Sequence, residues 1–256
     1  MTVAYLEKGQ GTPLVLLHGI GSAARSFAAQ LDAFASRWRV LAWDAPGYGA
    51  SDALPMAHPT VADYAVALER FLGERGIGEF HLLGHSLGCL MAAAFAARHP
   101  GRVRSLTLCS IAGGHAHLPE AERHKLLDQR VQDVASLGPR GMAEKRAPRL
   151  LGPAAPPEAL AKLVDTMGSV HPDGYAQAAR MLSTGDIVAD IARLPATTPG
   201  QVIFGDADVI TPPARNREIA ERWTGAAVHV IPGAGHALYL EQPQAFNALL
   251  TDFLER

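Results

Sequence analysis

The chain has 256 residues, a formal net charge of −2 and 48% hydrophobic residues. That length suits one large domain, or one domain carrying an insertion, and hides roughly three quarters of its unfolded surface. The near-neutral charge leaves no footprint for nucleic acid, and no run of about 18 apolar residues offers a membrane span.

Taken in order, residues 3–6 read as a first edge strand and residues 9–13, Gly-Gln-Gly-Thr-Pro, as a turn. Residues 14–17 form an unbroken apolar run, the pattern of a parallel strand covered on both faces. His18-Gly19-Ile20-Gly21 follows as a tight strand exit. Residues 22–34 predict an amphipathic helix, residues 40–43 a strand, and residues 44–51 a Gly-rich loop in which Asp44 shapes the turn. Residues 60–74 have helical spacing through Val61, Tyr64, Ala65, Leu68, Phe71 and Leu72, with Thr60 at the start. Residues 80–83 are a strand, residues 89–98 a helix and residues 103–108 a strand. This alternation predicts an α/β chain with a doubly wound, mostly parallel sheet.

From residue 111 the pattern changes. The stretch to residue 185 is helical in period, rich in charge and broken at Gly113-Gly114, Pro119, Gly138-Pro139, Gly152-Pro153 and Pro156-Pro157. It predicts an inserted helical cap of about four short helices over residues 111–185, between core segments 1–110 and 186–256. Strands resume at residues 201–204 and 228–231, and residues 243–256 close the chain as an amphipathic helix. The start lacks the basic-then-apolar order of a secretion signal, so a cytoplasmic location is expected. Cys89 and Cys109 lie in apolar surroundings and are expected as buried thiols.

The chemistry concentrates at Gly84-His85-Ser86-Leu87-Gly88, which joins a strand to a helix. In a Gly-x-Ser-x-Gly turn the serine stands on a strained corner with its hydroxyl clear of both elements, and the glycines leave room for tight packing. Serine is a weak nucleophile until a base is within hydrogen-bond reach. Of the eleven histidines, His236 follows the last strand in Gly233-Ala234-Gly235-His236, on a loop at the carboxyl edge of the sheet. His81, His85 and His99 read as structural. His115, His117 and His124 are not accompanied by a carboxylate or cysteine set, so no metal and no cofactor are expected.

With these motifs the chain resembles the α/β-hydrolase superfamily over nearly its full length. His18-Gly19-Ile20-Gly21, Asp44-Ala45-Pro46-Gly47-Tyr48-Gly49-Ala50-Ser51, Gly205-Asp206-Ala207-Asp208 and Gly233-Ala234-Gly235-His236 occur in that family's order. The resemblance implies a sheet of about eight strands, Ser86 as nucleophile, His236 as base and Asp208 as the orienting acid, with Asp206 a turn former. It implies an oxyanion hole from the backbone N–H groups of Ile20 and Leu87. Some relatives carry the acid one strand earlier, where this chain has Cys109-Ser110-Ile111 and no carboxylate. A serine at the turn also argues against a dehalogenase, which needs a carboxylate nucleophile.

The segments 141–151, 171–176 and 208–213 resemble the 3-oxoadipate enol-lactonases, whose cap carries Arg followed by Trp. Here Arg149 matches and Leu150 replaces the Trp. The resemblance implies an ester or lactone as small-molecule substrate, with Gly19 and Arg149 as candidate contacts, for a monomer or homodimer. Two other readings share the motifs: a hydrolase of C–C bonds in vinylogous diketones, and a slow-turnover small-molecule receptor.

Overall fold

The computed structural model describes residues 1–153 and 155–255. Seven strands form one sheet: β1 (Tyr5–Lys8), β2 (Pro13–Leu17), β3 (Arg39–Trp43), β4 (Phe80–His85), β5 (Val103–Cys109), β6 (Gly200–Gly205) and β7 (Ala227–Ile231). Their order is β1-β3-β2-β4-β5-β6-β7. Only the β1–β3 pair is antiparallel. The resemblance implied about eight strands; the seven among the described residues are the seven apolar runs visible in the sequence.

Alternate residues of each inner strand feed opposite cores, as the two-residue period requires. Val15, Leu17, Leu41, Leu82 and Leu108 point into one core, together with α2 (Val61–Gly73) and α3 (Leu87–Arg98). Leu14, Leu16, Val40, Leu83 and Ile203 point into the other, against Phe27, α1 (Ala28–Phe34) and α10 (Pro243–Leu254). Burial on both faces explains why these strands read as unbroken apolar runs.

Local chemistry adjusts the predicted ends. The helix over residues 22–34 begins as a 3-10 turn at Ala24–Phe27 before α1, and the first strand starts at Tyr5. Thr60 and Asp63 form a reciprocal capping box at the start of α2, as Thr60 N–H donates to Asp63 Oδ2 at 2.7 Å.

Between β5 and β6 the described residues hold no strand. They form α4 (Glu120–Arg146), a 3-10 turn (Ala147–Leu150), α5 (Pro157–Met167), α6 (Pro172–Thr184) and α7 (Ile187–Ile191). As the sequence reading expects of Gly138-Pro139, α4 is two helical stretches meeting at a kink, where Gly138 takes the non-helical φ 66° and ψ 169°. After β6 come α8 (Pro213–Glu221), α9 (Leu238–Glu241) and α10.

The chain leaves β2 toward β3 on one side and returns to β4 on the other. The carboxyl ends of β2 and β4 are therefore adjacent at the point where strand order reverses, the place where open α/β sheets bind ligands.

Candidate active site

Ser86 sits at the end of β4 with φ 52° and ψ −115°, a conformation that a side-chain-bearing residue adopts only under constraint. The constraint is visible. Ser86 N–H donates to Cys109 O at 2.9 Å, and the serine carbonyl accepts from Cys89 N–H at 3.0 Å. A Cβ on Gly84 would lie 2.5 Å from Gly88 O, and one on Gly88 would lie 2.2 Å from Leu17 O. The two glycines let the turn close on itself and against β2.

His236 approaches from the loop after β7. Its Nε2 is 2.9 Å from Ser86 Oγ and its Nδ1 is 2.9 Å from Asp208 Oδ2. All three side chains are buried. Because the carboxylate only accepts, Nδ1 carries the proton and Nε2 presents its lone pair to the serine hydroxyl. Asp208 also accepts from Ile210 N–H at 2.8 Å, Thr211 N–H at 2.9 Å and Thr211 Oγ1–H at 2.8 Å. Burial alone would raise the Asp208 carboxyl; its hydrogen bond and attraction to His236, with the Thr211 donors, outweigh that and bring its pKa down to about 2. Asp206 lies apart, accepting from Gly233 N–H at 2.6 Å.

The loop after β2 packs over this turn. A Cβ on Gly19 would stand 2.9 Å from Ser86 Cβ, so only glycine allows that approach. His18 braces the loop: Ala45 N–H donates to its Nε2 at 3.0 Å, and its Nδ1–H donates to Gly19 O at 2.8 Å. Among the described residues neither Ile20 N–H nor Leu87 N–H has an acceptor within the protein. Asp44 accepts from Ala24 N–H at 2.8 Å, in keeping with a shaping role for its loop.

Three further groups escaped the sequence reading. His85, expected only to pack, donates from Nε2 to His236 O at 2.8 Å and packs edge-on against Tyr239. Burial, chiefly, holds its pKa down to about 3, so it stays neutral. Glu241 accepts from Gly152 N–H at 2.7 Å and Gly235 N–H at 3.1 Å, tying the loop before α5 to the loop of His236. Thr211 lies only three residues past Asp208, a spacing at which a hydroxyl can serve a carboxylate, and that was its one available signal. His81 and His99 are structural, on Ser105 and Phe95 respectively. Cys89 and Cys109 are buried free thiols. No group of three or more metal-ligating side chains occurs among the described residues, and no described helix is long and apolar enough to cross a membrane.

A cavity of about 410 Å³ opens over Ser86 and His236 and reaches under α4 to α6. Ile20, Gly19 and Arg149 line it, with Leu150, Leu163, Met167 and other apolar side chains. His115 and His117 also face it, whereas His124 is an exposed side chain of α4 beside Glu120.

Known proteins resemble this chain over nearly its whole length. Residues 14–249 match the Alpha/beta hydrolase family. The chain is 30% identical over 252 residues to a pimeloyl-[acyl-carrier protein] methyl ester esterase of Chromobacterium violaceum, covering 96% of each. It superposes on a thermophilic esterase from Thermogutta terrifontis with a TM-score of 0.90 at 28% identity, covering 99% of this chain and 93% of that one. The enol-lactonase of Burkholderia xenovorans LB400 shares the fold, with a TM-score of 0.87, 24% identity and coverage of 99% and 96%. With its parallel sheet, strand-to-helix serine turn and full-length match, the chain belongs to the alpha/beta-hydrolase family and is a hydrolase.

Proposed function

We propose that this protein is a serine hydrolase of a small carboxylic ester or lactone, working through an acyl-enzyme. The observation that carries the reading is the continuous hydrogen-bonded run from Asp208 through His236 to Ser86, with both links at 2.9 Å. In this reading His236 Nε2 takes the Ser86 proton as Oγ attacks the substrate carbonyl. The Ile20 and Leu87 N–H groups stabilise the oxyanion, each worth roughly 3 kcal/mol in such sites. His236 then protonates the departing oxygen, and in the second half it activates the water that releases the acid. Asp208 holds the Nδ1–H tautomer and stabilises the imidazolium.

Gly19 and Arg149 are the proposed substrate contacts, one beside the nucleophile and one in the helical segment. Residues 111–185 act as the cap and residues 1–110 and 186–256 as the core, in a cytoplasmic enzyme. An enol-lactone of aromatic-ring breakdown is the substrate to try first, on the resemblance of segments 141–151 and 171–176.

The test pairs p-nitrophenyl acetate with 3-oxoadipate enol-lactone, each on the wild type and on Ser86→Ala. Turnover should fall by at least about 10³-fold in the variant. Wild-type rates in Ser86→Ala would overturn the mechanism. Ester turnover without lactone turnover would keep the triad and discard the lactone.

A further inference from the structure

The cavity over Ser86 is lined by Arg130, Arg146, Arg149 and Arg215, and by no aspartate or glutamate. Two of these cations are neutralised by neighbours. Arg146 donates to Asp133 Oδ2 at 2.5 Å, and Arg215 to Glu218 Oε2 at 2.7 Å. Arg130, on α4, and Arg149, in the 3-10 turn that follows it, form no hydrogen bond or ion pair among the described residues. Two other cations of α4 find acids, Lys145 reaching Asp133 at 2.8 Å and Arg140 reaching Glu144 at 3.0 Å, whereas Arg123 and Lys125, which do not line the cavity, form no ion pair among the described residues. His115, facing the same cavity, has a buried Nδ1 with no partner.

Arg130 is half-buried and Arg149 exposed at the cavity wall, and two guanidiniums with no acid partner on one cavity favour the entry of an anion. Planar, permanently charged forks suit a carboxylate, which each can hold through paired hydrogen bonds. Leu118, Leu150, Leu163, Met167 and Leu182 give the cavity an apolar stretch of wall, which would take a hydrocarbon stem. The resemblance of the cap points to Arg149 alone; Arg130 belongs to no motif in the chain.

We infer that Arg130 and Arg149 together form an anion subsite, and that the substrate is a half-ester or lactone whose acyl chain ends in a carboxylate. This rests on the serine-hydrolase reading for which bond is cleaved, but the subsite itself can be read by binding. The acyl carbonyl then lies at Ser86 while the chain carries its charge toward the cap helix. Neutral esters of the same length lose the charged contact and gain nothing in exchange.

The experiment titrates the Ser86→Ala protein, whose loss of the nucleophile slows turnover, with monomethyl adipate and with dimethyl adipate by calorimetry. The half-ester is expected to bind at least about tenfold more tightly, the worth of one or two hydrogen bonds to a charged group. Adding Arg130→Gln should cut that ratio by about tenfold, and Arg130→Lys, which keeps the charge without the fork, should restore part of it. Lys125→Gln, an exposed charge on the same helix outside the cavity, should leave the ratio as it was. Circular dichroism melts of each variant report whether the fold survives.

Equal or tighter binding of the diester overturns the proposal, as do an unchanged ratio in a folded Arg130→Gln protein and undetectable binding of the half-ester. Failure of the catalytic reading looks different. There, wild-type enzyme would hydrolyse neither ester while the preference for the half-ester persisted.

Discussion

Replacing Asp208 by Asn tests the site most sharply, because the surrounding donors dictate how the amide must sit. Oδ1 accepts two backbone N–H groups, from Ile210 and Thr211. The amide oxygen has to keep that position, so the NH₂ faces His236 Nδ1 and Thr211 Oγ1, where Oδ2 stood. A donor there forces Nδ1 to become an acceptor, moves the ring proton to Nε2, and removes the lone pair that faces Ser86. Turnover of p-nitrophenyl acetate should fall by about 10⁴-fold with the fold intact. Stability should change with pH in a definite sense. The Asp208 pKa is about 2 against an ordinary 3.8, a gap worth about 2.5 kcal/mol. Since the folded value is the lower one, that stabilisation is present above pH 3.8 and is lost as pH falls through 2. Urea unfolding of wild type and variant should therefore differ by about 2.5 kcal/mol at neutral pH, with the difference shrinking below pH 3.8. A folded Asp208→Asn protein within tenfold of wild-type turnover would refute the tautomer argument, and a stability gap independent of pH would refute the electrostatic one.

Three further outcomes follow from the packing. Gly88→Ala puts a methyl group 2.2 Å from Leu17 O, and urea unfolding should register a loss of about 3 kcal/mol or more, if the variant folds at all. Glu241→Ala leaves the buried Gly152 and Gly235 N–H groups without acceptors, at about 1–3 kcal/mol each, and kcat should fall with stability because Gly235 adjoins His236. Glu241→Gln keeps an acceptor and should recover most of both. His85 has a folded pKa of about 3 against 6.5 when unfolded. The unfolded chain thus takes up a proton first, and stability is lost as pH drops below 6.5, by about 3 kcal/mol at pH 4. His85→Gln should flatten that slope in denaturation curves while still donating to the His236 carbonyl, whereas His85→Leu should also slow catalysis.

Much of this site was legible because its signals are local. Inner strands buried on both faces read as apolar runs, and the serine turn must have Gly84 and Gly88 because the neighbouring backbone leaves no room for a Cβ. His236 is announced by the glycines around it, one of which, Gly235, would press a Cβ to 2.4 Å from Gly152 N. What the sequence hid depends on contacts between distant segments. Glu241 looks like a helix charge among Leu238, Tyr239 and Leu240, yet α9 turns it inward toward two backbone amides. His85 does point away from Ser86, as adjacent strand residues should, and for that reason it reaches the backbone of His236 instead. Arg130 reads as one more surface charge on a polar helix until the cavity and its missing acid partner are seen together.

These distant contacts also bear on how the segment between β5 and β6 is held to the loop of His236. Ala237 N–H donates to Leu150 O at 3.0 Å, Glu241 bridges Gly152 and Gly235, and the two glycines touch backbone to backbone. The 3-10 turn that carries Arg149 is thereby fixed to the loop that carries His236. Arg130 has no such staple, since it stands two turns of helix before the bend at Gly138. A carboxylate between the two arginines would link the braced part of the cap to the long helix above it, with the reacting carbonyl held at the base end. In that geometry the anion would add affinity and would also hold the reacting carbonyl in register with Ser86. Half-esters should then show a higher kcat as well as a lower KM than diesters, because transition-state contacts at Ser86 improve only when the far end of the chain is held.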